Sequence, residues 1–98
     1  MNNIEEYVKY IKRNRTHYKS LEADMSEAIH GLAAETGEVM GVIQKAVRKG
    51  ENPNYKDLLS ELGDVLYYLL TVSYHAGFTI DDLMHYNESK LRSRGWGK

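Results

Sequence analysis

The chain reads as all-α, a bundle of four helices completed by homodimerisation. Three observations predict this. Apolar residues recur at helical spacing, and no stretch alternates as a half-buried strand would. The only proline, Pro53, falls between two helical runs rather than inside one. Stop and start signals then divide the 98 residues into four segments with no linker and no low-complexity run, so residues 1–98 are expected to form a single domain.

Helix one is expected from about Asn3 to Lys12. Ile4, Tyr7, Val8 and Ile11 share a face at i, i+3, i+4, i+7 spacing, and Asn2 with Glu5 reads as a capping box. Arg13 to Lys19 has no clear period and is expected to be a loop. Helix two is long. Asp24 followed by Glu27 resembles its cap, and Gly50 makes a natural stop behind Arg48 and Lys49. Its apolar stripe (Met25, Ile29, Leu32, Val39, Ile43, Ala46) keeps the seven-residue rhythm of a bundle seam. Glu51-Asn52-Pro53 makes the turn. Asn54 caps helix three, with Asp57 in its first turn and Gly77 beyond its end. Thr79 with Asp82 opens helix four, which runs to about Arg94 and leaves Gly95–Lys98 as a tail.

Helix three is too apolar for a monomer. Leu58, Leu59, Leu62, Val65, Leu66, Leu69, Leu70 and Val72 cover nearly half of its wheel, with Tyr67 and Tyr74 opposite. Such a helix expects to be buried all round, and three short neighbours from a small chain cannot do that. A homo-oligomer follows, either a homodimer or a dimer of dimers.

Composition excludes several classes. With no cysteine there is neither a disulfide framework nor a thiolate metal site. A formal charge of −1 gives no overall attraction to nucleic acid or membrane. The start of the chain lacks a signal-peptide pattern, and the most apolar run, Leu58 to Val72, is broken by Glu61, Gly63 and Asp64. A soluble, cytoplasmic protein with no nucleic-acid partner is expected. The basic run Lys9, Lys12, Arg13, Arg15 and Lys19 carries no RNA-binding motif.

The chemistry lies in a repeated phrase. Glu35-Thr36-Gly37-Glu38-Val39-Met40 is answered by Glu61-Leu62-Gly63-Asp64-Val65-Leu66. Acids three apart share a helix face, and neither pair has a Lys or Arg at a following i+4 position. Carboxylates among apolar neighbours repel one another and are costly to desolvate unless a cation joins them. Oxygen-only ligands suit Mg²⁺, with Mn²⁺ as a substitute. A di-iron site would pair its glutamates with a histidine three residues on, where this chain has Glu38 and Asp64. In an antiparallel hairpin the two pairs come level to within ~6 Å. Gly37 and Gly63 each cost about 1 kcal/mol in a helix interior, and close helix approach or room for a ligand would justify them.

Cations follow. Lys45 lies two turns beyond Glu38, with Arg48 and Lys49 after it, and Asn87, Lys90 and Arg94 share a face of helix four. Metal-holding acids with nearby cations suit a polyphosphate. His17, Tyr18, His30, Tyr68 and Trp96 could each stack on a base, and none stands out from ordinary packing.

Together, Glu35-x-x-Glu38, a spacer over 39–60, Glu61-x-x-Asp64, Lys45 and the Asn87-x-x-Lys90-Leu91-x-x-Arg94 ending resemble the MazG-like nucleotide pyrophosphohydrolases of the all-α NTP pyrophosphatase superfamily. One departure is Ala46, which stands where relatives often carry a second basic residue. The resemblance implies a MazG-like four-helix fold and Mg²⁺-dependent hydrolysis of (deoxy)nucleoside triphosphates to monophosphate and pyrophosphate, in nucleotide-pool cleansing. It implies Glu35, Glu38, Glu61 and Asp64 as catalytic metal ligands, and Lys45, Asn87, Lys90 and Arg94 as phosphate contacts. The competing expectation is a non-catalytic helical dimerisation or regulatory module whose acids hold a structural ion or a basic partner.

Overall fold

A computed structural model describes residues 3–97. Four helices appear in order: α1 (Ile4–Asn14), α2 (Leu21–Lys49), α3 (Tyr55–His75) and α4 (Ile80–Ser93), with no strand among the described residues. The all-α expectation holds, and the helix ends explain themselves locally. Gly50 adopts φ 64, a left-handed conformation open to glycine. There Glu51 N–H bonds the Ala46 carbonyl and Gly50 N–H that of Val47, which closes α2 and turns the chain. Gly77, at φ 87, ends α3 in the same way. Asn54 caps α3 by accepting from Asp57 N–H, and Thr79 and Asp82 form the expected reciprocal box on α4.

Two starts differ from expectation. The cap of α1 is Asn3, which accepts from Glu6 N–H, one residue later than the Asn2–Glu5 box; Asn2 itself lies outside the described residues. α2 begins four residues early, capped by Ser20 through Ala23 N–H. Asp24 is therefore inside the helix. It accepts from Tyr18 N–H in the preceding loop instead of capping its own turn, because a Ser with extended backbone already holds the cap position.

The principal packing is the antiparallel hairpin of α2 and α3, with α1 laid against α3. Within the hairpin, a Cβ on Gly31 would collide with the ring of Tyr68. The wholly or nearly buried residues are few: Ile11, Ala28, Leu70 and Thr71 anchor the contact among the three helices. α4 makes at most marginal contact with the rest and buries no residue. The radius of gyration is 16.0 Å, against roughly 13 Å for a compact chain of this length. Leu59, Leu62, Leu66 and Leu69 form an exposed stripe along α3. A single copy thus leaves uncovered the apolar surface that its sequence expects to bury.

Candidate functional site

Antiparallel pairing brings the two acidic phrases level on the hairpin. One carboxylate oxygen from each of Glu35, Glu61 and Asp64 lies within 4.8 Å of the others. Glu35 and Glu61 are half-buried and Asp64 is exposed. Glu35 approaches Glu61 across the hairpin. Its carboxyl titrates above the usual carboxylate range, first because it is partly desolvated, then because Asp64, Glu61 and Glu38 repel its charge. None of the salt bridges among the described residues involves these acids. Thr36, between the two glutamates of α2, turns its hydroxyl back to the Leu32 carbonyl at 2.7 Å and offers nothing to the site.

Glu38 stands apart from this trio. It is exposed, a turn nearer the hairpin bend, on the wall of a groove of about 460 Å³ shared with Glu61. Lys45, Lys49, Asn52 and Asn54 line the same groove toward the bend. Glu51 and Asp57 line that end as well, so the two lysines stand among acids and the groove carries both signs of charge toward the bend. Arg48 does not line it. Asn87 and Lys90 line a separate cavity with Phe78, Leu83 and Tyr86, and Arg94 caps the exposed end of α4. Within one chain, α4 therefore does not reach the acids.

The glycines in the acidic phrases are not close-approach residues: a Cβ on Gly37 or Gly63 would meet nothing within 4 Å. Of the two reasons the sequence offered for them, only open space beside the acids survives. The close approach occurs at Gly31, which periodicity did not single out, although Ala28 and Gly31 at i, i+3 spacing were a readable small-residue signal. Glu27 also escaped notice as a partner. It binds Arg15 at 2.8 Å and accepts weakly from the Tyr68 hydroxyl at 3.5 Å.

Oxygen donors at this spacing, held against their own repulsion and without a neutralising side chain, fit a hard divalent cation. No curated protein and no solved structure matches the chain significantly. The sequence profile of the MazG nucleotide pyrophosphohydrolase domain matches residues 23–95, which span α2, α3 and α4 and include the acid cluster. The acids, their order on the hairpin and this match agree: the chain belongs to the MazG nucleotide pyrophosphohydrolase family.

Proposed function

We propose that this protein is a Mg²⁺-dependent nucleoside triphosphate pyrophosphohydrolase, releasing pyrophosphate from (deoxy)nucleoside triphosphates in cytoplasmic nucleotide-pool cleansing. The observation that carries this reading is the un-neutralised convergence of Glu35, Glu61 and Asp64 in a chain of this family. Those three, joined by Glu38 from the groove wall, would hold Mg²⁺, or Mn²⁺ in its place. When bound, the cation would lower the pKa of water and screen charge on the phosphate oxygens. The side chains do the rest. The carboxylates fix the approach line of the attacking water, and one of them takes its proton. Lys45, facing the same groove, absorbs charge on the phosphate chain.

Asn87, Lys90 and Arg94 enter this reading through a homodimer, as one pair or as a dimer of dimers. The exposed leucine stripe on α3, the loosely held α4 and the open shape of the single chain support it. In such an assembly, α4 of a second copy brings the Asn87 amide and the Lys90 and Arg94 cations to the groove.

Purified protein should release pyrophosphate, not orthophosphate, from nucleoside triphosphates, and a chelator should abolish this. Replacing Glu38 or Asp64 by Ala should lower the rate by about 10²-fold or more while circular dichroism keeps its helical signal. Variants that turn over at the wild-type rate would remove these acids from the reaction.

A further inference from the structure

Beyond the acids, on the side away from Lys45, the hairpin becomes aromatic. Tyr67 and Tyr68 follow Asp64 on α3 and meet edge to face, with centroids 5.0 Å apart at 88°. Tyr68 is already committed: its ring fills the space that Gly31 leaves, and its hydroxyl reaches Glu27 at 3.5 Å. Tyr67 belongs with α1. That helix lies along α3 with the Lys12 ammonium over the Tyr74 ring, 5.2 Å from its centroid. Stepping back from this anchor, ~8 Å along α1 reaches Tyr7 and ~10 Å along α3 reaches Tyr67, so the two stand nearly level. Tyr7 stacks on Tyr10, with centroids 6.4 Å apart and planes 13° from parallel, and Tyr10 is 45% exposed. Burial raises the pKa of the Tyr7 hydroxyl above its ordinary range, with Tyr67 and Asp64 adding to the shift. Tyr7 and Tyr10 precede the segment that matches the family profile, whereas Tyr67 lies within it.

We propose that Tyr7 and Tyr10 of α1, backed by Tyr67, seat the nucleobase of a nucleoside triphosphate laid along the hairpin, its phosphates toward Lys45. This rests on the function proposed above. The direction follows from the order of groups along the hairpin: Lys45 and Lys49, the groove's two cations, lie on the bend side of Glu35, Glu61 and Asp64, among the further acids Glu51 and Asp57, whereas Tyr67 follows Asp64 on the other side and the Tyr7–Tyr10 stack stands on the helix laid against it. Every base has a π face, so stacking there adds affinity without choosing among bases. These rings would tell a nucleotide from a bare polyphosphate chain.

That distinction is measurable. Calorimetry in Mg²⁺ would compare a non-hydrolysable nucleoside triphosphate analogue with inorganic tripolyphosphate, on wild type, Tyr10→Ala, Tyr10→Leu and Tyr7→Phe. Both Tyr10 variants should bind the nucleotide analogue about 5- to 50-fold more weakly and tripolyphosphate as wild type does. Tyr7→Phe, which keeps the ring, should bind both normally. Tyr10→Leu retains an apolar side chain for α1, so a loss shared with Tyr10→Ala reports the ring and not the packing. Unchanged nucleotide affinity in both Tyr10 variants, or equal weakening of both ligands, would overturn the seat and leave the function proposal intact. Wild-type protein that binds neither ligand would overturn that function, and the seat with it.

Discussion

At the far end of the α2–α3 hairpin, Arg15 and Glu27 close an ion pair of 2.8 Å, with the Arg15 side chain 2% exposed. Midway along the same hairpin, Glu35, Glu61 and Asp64 crowd together with no salt bridge to any of them. Both clusters bring charge out of water, but only the first is balanced within the chain. Arg15 also donates from Nε to the Thr16 carbonyl, and Asp24 nearby accepts from Tyr18 N–H, so the junction ties α1 and its loop to the hairpin. Burial lowers the His75 imidazole below its ordinary range, with Arg15 acting in the same direction and Asp24 opposing it. A neutralised charge cluster holds elements together. A like-charged one works against the fold unless a cation joins it.

Substitution should separate the two most sharply where each charge is removed. Arg15→Leu leaves Glu27 without its cation and should cost about 2–3 kcal/mol in denaturant unfolding. The cost falls at the lower end for a broken buried pair because the Glu27 side chain is 35% exposed and regains water. Glu35→Gln in metal-free buffer should do the reverse, leaving stability equal to wild type or higher, since it relieves repulsion and keeps an amide for Glu61. A metal-free Glu35→Gln protein clearly less stable than wild type would break the comparison, because the trio would then be a structural device.

The sequence showed the acidic cluster more clearly than the balanced one, and the reason is physical. Acids spaced by three residues inside apolar runs violate the helix pattern on a single line of text. Their convergence needs only that the two helices form a hairpin. The Arg15–Glu27 pair joins a loop edge to a helix interior across α1's docking angle, which no periodicity encodes. Its members look like ordinary surface residues in the sequence. The start of α2 was misplaced for a related reason: Asp24 has the chemistry of a cap, but Ser20 reached that position first and freed Asp24 for a tertiary bond. The placement of α4 was not legible either, since it makes at most marginal contact with the other helices.

The helical glycines divide along the same boundary. Alanine at Gly31 would drive a methyl into the Tyr68 ring, a packed side chain fixed between helices, and should destabilise by ~1–3 kcal/mol. Alanine at Gly37 or Gly63 meets open space and should stabilise by about 0.5–1 kcal/mol through helix propensity. If the space beside the acids serves a ligand, pyrophosphate release should fall in those same stabilised proteins. A Gly37→Ala variant that gained stability and kept full activity would return that glycine to mere tolerance.

The smallest expected effect concerns pH at the balanced end. Asp24 titrates below its ordinary value of 3.8, chiefly because Tyr18 N–H donates to the charged form, with His75, His17 and Arg15 adding to it. A carboxylate with a lowered folded-state pKa binds fewer protons folded than unfolded. Its stabilisation is therefore fully present above about pH 4 and fades as the pH falls through the folded-state value. Asp24→Asn keeps an acceptor for Tyr18 N–H but loses the charge, so it should melt below wild type at pH 7. The gap should narrow as melts are repeated at pH values falling below about 4, because a growing share of wild type then carries a protonated, neutral Asp24 as well. A gap that stayed constant as the pH fell would mean that the amide fits poorly and that charge at Asp24 does little. The junction would then hold by shape and the Arg15–Glu27 pair alone, and the contrast with the acids of the groove would rest on that single ion pair.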